Sequence, residues 1–285
     1  MSSEVTAPVP FPLTLPAVVA TARRHCTERC FAYHASWRIF RRAGLKGHPG
    51  WHTGFYQRAL TTHPLPAHGR VRVLICGASD EAMLATLARF LPPEHLEAHL
   101  IDACPTPLHL ATAYARRTGI TLTTGLDRAP ALAGCTGPYD VIVTDGLLSL
   151  LPAPGDRTAL LARLADLLAP GGLVLYTARI AGAAGVLEYD RIGRRLQAAT
   201  ARALWPAPAD QRRHLAGQIL ARPSRPSPFT APGQVRAAFT AVFGDVRCYL
   251  RRTPPTLTLA LAPTVRAGQG STCVGIAARA PRSLP

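Results

Sequence analysis

Short apolar runs alternate with stretches of helical period between residues 70 and 181. Runs of this length that are rich in Val, Ile and Leu predict β-strands. Five of them follow one another along the chain: Val71–Cys76, His99–Asp102, Ile120–Thr124, Tyr139–Asp145 and Leu173–Arg179. Because helical stretches connect them, we expect an α/β fold with a parallel sheet, whose strands end together at the edge where ligands bind.

The connecting helices carry recognisable end signals. Ser79 or Asp80 is placed to cap the first helix, and Thr106 before Pro107 marks the start of the second. A third helix, Asp156 to Leu168, is expected to stop at the Pro-Gly-Gly of residues 170–172. Towards the C-terminus the pattern predicts one more helix and two strands: Gln234–Phe243, Asp245–Arg251 and Thr272–Arg279.

These patterns divide the chain into four parts. Residues 1–69 are a helical N-terminal lid with a linker, 70–181 the α/β core, 182–231 a helical insertion and 232–285 the C-terminal part of the core. In the lid, one amphipathic helix is predicted over Ala17–Ala43, a second helical patch over Phe55–Leu60 and the linker over Thr61–Gly69. We expect the lid and the insertion to cover the ligand edge of the sheet.

Charge and cysteine content limit the classes of partner. The chain has 32 Lys and Arg against 16 Asp and Glu, a formal net charge of +16, yet Lys46 is its only lysine and the arginines are scattered. This spread favours an ordinary basic surface over a nucleic-acid-binding one. The 7 cysteines are irregularly spaced, and no apolar run of 18 residues or signal peptide occurs, so we expect reduced thiols, no membrane span and a cytoplasmic protein.

The ends of the first two predicted strands carry the candidate ligand contacts. The turn Gly77-Ala78-Ser79-Asp80-Glu81 lacks the three glycines of a dinucleotide-binding loop, which argues against NAD or FAD. Asp102 ends the second strand, where a carboxylate can accept both hydroxyls of a ribose. A plain helix cap is the alternative role for Asp80 and for Asp102, although Thr106 is available to start the helix after Asp102.

The order of these segments resembles the class I S-adenosylmethionine-dependent methyltransferases. The resemblance rests on Gly77, Asp102, the strand Tyr139–Asp145 and the segment Leu167–Leu173 with its Pro-Gly-Gly, and it covers Arg70 to Arg179. It implies a Rossmann-like methyltransferase fold with a mainly parallel seven-stranded sheet, a C-terminal antiparallel strand and S-adenosylmethionine as cofactor. The family's glycine loop is altered here, since Ile75, Ser79 and Glu81 replace its leading acid and later glycines.

The resemblance also implies roles for individual residues. Gly77, Ala78 and Asp80 would flank the methionyl part of the cofactor, and Asp102 and Ala103 the ribose. Leu126 or Asp127 would contact the adenine. The pocket beneath the sulfonium would be lined by Asp145, Gly146 and Leu147.

Candidate substrate residues lie mainly in the lid, which members of this family often fold over the site. His34, His52 and Tyr56 are candidates for a base that activates a nitrogen or oxygen acceptor. Trp51 is a candidate substrate contact, with packing as its alternative. Arg179, at the end of the fifth strand, could pair with a substrate carboxylate or phosphate, or it could be a solvated charge.

The predicted lid helix also carries a candidate metal site. Cys26, Cys30 and His34 recur every four residues, on one face of the predicted helix. Three soft ligands could hold zinc, but no fourth ligand with a fitting spacing is evident, so the sequence favours thiols packed in the core and no metal.

These observations favour a methyltransferase that acts on a small molecule. RNA and protein are the alternative substrates, although the Asn/Asp-Pro-Pro-aromatic signature of amino-group methylation on nucleic acids does not follow the fourth strand. A non-catalytic cofactor-binding or regulatory protein of the same fold is a third interpretation, which rests on the altered glycine loop.

Overall fold

Seven strands form a single sheet in the computed structural model, which describes residues 13–42, 49–63, 69–180, 190–221, 228–252 and 272–282. The strands are β1 (Val71–Cys76), β2 (Leu96–Asp102), β3 (Thr121–Leu126), β4 (Tyr139–Asp145), β5 (Leu168–Arg179), β6 (Phe243–Arg252) and β7 (Thr272–Pro281). Their order is β3-β2-β1-β4-β5-β7-β6. The first five are parallel and β7 runs antiparallel to both of its neighbours, which confirms the predicted sheet.

Helices cover both faces of this sheet: α4 (Ala82–Leu87), α5 (Pro105–Thr118), α6 (Leu147–Leu150), α7 (Pro154–Asp166) and α10 (Pro232–Thr240). Successive strand residues point to opposite faces, so Val73 and Ile75 belong to one core cluster and Leu74 and Cys76 to the other. Hydrophobic burial on both faces explains the apolar runs of the central strands β1 and β4, whereas β3 at the edge of the sheet is largely polar.

Several element boundaries differ from the predicted ones, and two of the differences concern residues that the sequence analysis used as end signals. Helix α5 begins at Pro105 with Cys104 as its N-cap, so the prediction that Thr106 starts the helix is wrong. Strand β5 begins at Leu168 and includes the Pro-Gly-Gly segment, since Leu168 pairs with Tyr139 before a register shift in the β4–β5 ladder. The Pro-Gly-Gly segment is therefore the irregular start of a strand.

The N-terminal part contains three α-helices, α1 (Leu15–His25), α2 (Glu28–Arg42) and α3 (Thr53–Thr62), with a 3-10 turn at Pro49–His52. The single long helix predicted over this region is wrong. Cys26 has an extended backbone, with φ −84° and ψ 145°, and the Thr27 carbonyl accepts the N–H groups of Cys30 and Phe31 to start a new helix. Residues 43–48, which include the predicted end of that helix, and residues 64–68 of the predicted linker lie outside the described part of the chain.

Helix α3 is part of the core of the sheet. Tyr56, Ala59 and Leu60 are buried in the same cluster as β1 and α5, and the Phe55 ring lies 5.5 Å from that of Tyr249 on β6. The helix extends to Thr62, so the predicted linker, placed from Thr61 onwards, begins two residues too early.

The described part of the insertion is helical, as expected, and forms α8 (Asp190–Leu204) and α9 (Ala209–Ala221). They share a hydrophobic cluster with α1 and α2, and Trp205 Nε1 donates a hydrogen bond to the Ala35 carbonyl over 3.2 Å. Among the described residues, none of the helices has the length and apolar character needed to cross a membrane.

Candidate cofactor and active site

A cavity of about 440 Å³ opens at the carboxyl ends of β1, β2, β3 and β4. This is the edge at which the crossovers of a parallel sheet leave room for a ligand. The core residues in its wall include eight that the sequence singled out: Gly77, Ala78, Asp80, Asp102, Ala103, Asp127, Asp145 and Leu147. Gly146 and Leu126 are not among the described residues of the wall, and the Leu126 side chain is exposed to solvent.

Gly77 makes the turn between β1 and α4 possible. Its φ is +75°, in the left-handed region that residues with a Cβ rarely adopt. Its N–H donates to the Ile101 carbonyl over 2.8 Å, so the turn is held against the end of β2. The backbone after β1 is thereby kept in the wall of the cavity.

Asp102 connects the ends of β1 and β2. Its Oδ2 accepts the Ala78 N–H over 2.8 Å and its Oδ1 accepts the Cys104 N–H over 2.7 Å. Burial raises the pKa of this carboxyl, while the backbone N–H groups act in the opposite direction. Each carboxylate oxygen has further acceptor capacity, so Asp102 can bind a ligand hydroxyl while it also holds the start of α5.

Helix α2 lies across the loop Gly77–Glu81 and binds it through side chains of one helix face. Tyr33 Oη is 2.7 Å from Ser79 Oγ, and His34 Nδ1 is 3.1 Å from the Ser79 carbonyl oxygen. Arg41 Nη1 lies 2.8 and 2.9 Å from the two carboxylate oxygens of Asp80. The Arg38 guanidinium forms an ion pair with Glu81.

The polar residues that replace the family's loop glycines therefore hold the N-terminal helices in place. Asp80, predicted as a cofactor contact, lines the cavity, but its carboxylate is bound by Arg41 and accepts the Ala82 N–H over 2.9 Å. Sequence reasoning missed Arg38 and Arg41. The signal was available, because the altered glycine loop carries two neighbouring acids, Asp80 and Glu81, and two arginines lie three residues apart on the covering helix.

Part of the N-terminal segment does form a wall of the cavity, through Tyr33, His34, Trp37 and Pro49. Of the predicted bases, only His34 lies there. His52 is buried elsewhere and does not line the cavity, and Tyr56 is buried against the sheet. The side chain of Trp51 is outside the described part of the structure.

Asp145 lies at the end of a chain of hydroxyl groups that starts at Tyr56. Thr177 donates its hydroxyl hydrogen to Asp145 Oδ1 over 2.7 Å, and Tyr56 Oη is 3.1 Å from the Thr177 oxygen. Because a hydroxyl has a single hydrogen, Tyr56 must donate to Thr177. The chain therefore runs in one direction and ends on the carboxylate.

The surroundings of Asp145 keep its carboxyl close to titration at neutral pH. Asp145 lines the cavity at the end of β4 and is exposed on that side. Burial raises the pKa of Asp145 to about 6, against the opposing effects of the Thr177 hydrogen bond and the Arg179 charge. A carboxylate of this pKa suits proton transfer near neutral pH.

The positive charge of Arg179 lowers the pKa of Asp145, and the Arg179 side chain also hydrogen-bonds the Cys273 side chain. It is not among the described residues that line the cavity, so the predicted contact with a substrate has no counterpart in the cavity wall.

Known structures of similar shape were found, although no family model and no curated protein matches this chain. A possible exported protein from Bordetella parapertussis is 20% identical, with a TM-score of 0.51 over 81% of this chain and 67% of that one. The carbon methyltransferase CurJ is 17% identical, with a TM-score of 0.50 over 80% of this chain and 57% of that one. The chain has the fold of the class I methyltransferases.

A third similar structure is the N-methyltransferase NodS from Bradyrhizobium japonicum in complex with S-adenosyl-L-homocysteine. It is 16% identical, with a TM-score of 0.48 over 88% of this chain and 99% of that one. In the methyltransferase fold of this chain, the cavity occupies the carboxyl ends of the parallel strands, and α2 covers the loop after β1.

Proposed function

We propose that the chain is an S-adenosylmethionine-dependent methyltransferase that acts on a small molecule. The observation that carries the proposal is the position of Asp102, whose carboxylate faces the same cavity as the Gly77 turn and Asp145. In this strand order, these are the ends of β2, β1 and β4.

The cavity wall suits the cofactor. Asp102 would bind the ribose hydroxyls, with Ala103 beside it, and the Gly77–Ala78 backbone would contact the methionyl part. Asp127 would lie at the adenine, with its carboxylate held by the Arg128 and Gly134 N–H groups. When bound, the cofactor supplies a methyl group activated by a sulfonium.

Asp145 is the residue we propose for proton transfer. Its Oδ1 accepts the Thr177 hydroxyl, which leaves Oδ2 to take the proton that a nitrogen or oxygen acceptor loses. Tyr56 and Thr177 would act as positioning residues, since they orient the carboxylate through the hydroxyl chain. Leu147 would shape the pocket next to it.

The covering of the cavity favours a small substrate. Tyr33, His34, Trp37 and Pro49 form part of its wall, and its volume of about 440 Å³ is within the range of small-molecule sites. A site that receives an RNA strand or a protein segment is expected to be a more open groove.

Calorimetric titration with S-adenosylmethionine and S-adenosylhomocysteine tests the cofactor assignment. Asp102→Ala should weaken binding by about 1–3 kcal/mol, because the ligand hydroxyls lose a buried charged acceptor. Asp166→Ala, which removes an exposed carboxylate from α7, is the matched control and should leave affinity unchanged. If the wild-type protein bound neither compound at millimolar concentration, the methyltransferase proposal would be wrong.

The substrate class is tested by transfer of a labelled methyl group. The protein is incubated with labelled cofactor and separate pools of small metabolites, total RNA and total protein. We expect label in the small-molecule pool. Label in RNA or protein would support the alternative substrates, and tight cofactor binding without transfer to any pool would support a non-catalytic role.

A further inference from the structure

Three cysteines and one histidine come together where the N-terminal helices meet the core. Cys26, Cys30, His34 and Cys104 each contribute one potential ligand atom, and these four atoms all lie within 4.8 Å of one another. Cys26 follows α1, Cys30 and His34 are on α2, and Cys104 precedes α5. The fourth ligand that the sequence did not reveal is thus supplied by the loop after β2.

The spacing of the sulfur atoms fits a tetrahedral metal. Cys104 Sγ lies 3.8 Å from Cys26 Sγ and 3.6 Å from Cys30 Sγ. Zinc–sulfur bonds of about 2.3 Å at tetrahedral angles place two thiolate sulfurs about 3.8 Å apart. We propose that these four side chains form a structural zinc site.

Three of the four groups also have the neighbours that metal ligands require. Thr106 Oγ1 lies 3.0 Å from Cys26 Sγ, and Thr27 Oγ1 lies 3.5 Å from Cys30 Sγ, so both hydroxyls can donate to a thiolate. When His34 carries its proton on Nδ1 and donates it to the Ser79 carbonyl, Nε2 has the lone pair that a metal ion binds.

Cys104 has a further stabilising feature. It is the N-cap of the 14-residue helix α5, whose backbone N–H groups favour negative charge at that end.

The position of the site indicates a structural role. None of the three cysteines is among the described residues that line the cavity, and four protein ligands leave a tetrahedral ion no open position for a substrate. The ion would join α1 and α2 to the β2–α5 connection. It would also stabilise the cofactor cavity, because the Cys104 N–H binds Asp102 and His34 forms part of the wall.

The partly exposed cysteines differ from the sequence-based expectation. Cys26 and Cys30 were expected to pack in the core, but both are partly exposed and face Cys104. The sequence separation explains why the set was missed, since Cys104 lies 78 residues beyond Cys26. Only the docking of α2 on the loop after β1 brings the two segments together.

Metal analysis of the purified full-length protein under reducing conditions tests the site. We expect one zinc ion per chain and, after exchange with cobalt(II), the intense visible bands of a tetrahedral site with thiolate-to-cobalt charge transfer. Cys104→Ser should lower zinc affinity about 100-fold or more, since even outer partners of metal ligands contribute 10–100-fold. Cys248→Ser removes a partly exposed thiol from β6 and should keep full zinc occupancy.

X-ray absorption at the zinc edge keeps the test decisive if Cys104→Ser does not fold. The wild-type protein should show three sulfur atoms at about 2.3 Å and one nitrogen at about 2.0 Å. His34→Cys should retain zinc with four sulfur atoms.

Three results would overturn the proposal. One is a wild-type protein that binds neither zinc nor cobalt(II) stoichiometrically. Another is an unchanged zinc occupancy in folded Cys104→Ser. The third is a disulfide between two of these cysteines that persists under reducing conditions. It would be detected as a protein mass two daltons below that of the fully reduced chain.

Discussion

The Arg38 guanidinium binds the Glu81 carboxylate at the contact between α2 and the loop that follows β1. The two side chains are 4% and 0% exposed, so the ion pair is almost completely removed from water. Loss of one partner from such a pair leaves a buried charge without compensation, which is strongly unfavourable. The loop after β1 is therefore stable only when α2 is docked on it and Arg38 pairs with Glu81.

Removing the arginine should destabilise the protein strongly. We expect Arg38→Ala to lower the free energy of unfolding by about 3–5 kcal/mol at pH 7, measured by chemical denaturation. Glu97→Gln is the control, because Glu97 and Arg72 form a 3.6 Å ion pair whose side chains are 41% exposed. That variant should lose less than about 1 kcal/mol. Equal losses in the two variants would show that the buried pair is not formed in solution.

The second prediction concerns the backbone at Gly77. Gly77→Ala forces a Cβ into the left-handed region, and we expect a loss of about 1–2 kcal/mol in the free energy of unfolding. Affinity for S-adenosylmethionine should fall as well, because the turn is in the cavity wall. Gly54→Ala is the control: Gly54 lies in α3 with open space around it, and an alanine there should not reduce stability. A Gly77→Ala protein as stable as the wild type would rule out the left-handed turn.

The third prediction concerns the pH dependence that Asp145 confers. Its pKa in the folded protein is about 6, above the ordinary 3.8, so the folded state binds more protons than the unfolded state between these values. The contribution of Asp145 to the free energy of unfolding therefore declines as the pH rises through that window. At pH 7 the ionised carboxylate still destabilises the folded protein. Asp145→Asn removes the charge and keeps the shape of the side chain.

We expect the melting temperature of Asp145→Asn, relative to that of the wild type, to rise between pH 4 and pH 7. Asp166→Asn, at an exposed position on α7, should show no such trend. A difference that is constant with pH, or that decreases, would contradict the raised pKa of Asp145.

The fourth prediction concerns the net charge of +16. We expect weak, sequence-independent binding of RNA that disappears near physiological ionic strength, about 0.15 M, because each phosphate contact releases counterions. Fluorescence anisotropy of a labelled RNA across a salt series measures this. Structure-selective binding that persists at that ionic strength would favour RNA as the methyl acceptor.

The local chemistry of the core was sufficient to predict most of its elements. Strands β1 and β4 begin and end where they were predicted, because most of their residues are buried on both faces of the sheet and are apolar. Gly77 and Asp102 were predicted at the ends of adjacent strands, and both line the cavity, since parallel strands that follow one another through helices end at the same edge.

The sequence by itself thus determined the α/β core, by resemblance its mainly parallel seven-stranded sheet with an antiparallel C-terminal strand, and the edge where the cavity opens. Only the tertiary structure decided which N-terminal residues reach that edge. His52 and Tyr56 do not, because α3 packs on the sheet, while Tyr33 and His34 do, because α2 crosses the loop after β1. Contacts such as Arg38 with Glu81, or Cys26 with Cys104, join residues 43 and 78 positions apart. Periodicity describes one element at a time, and the pairing of distant side chains depends on how elements pack.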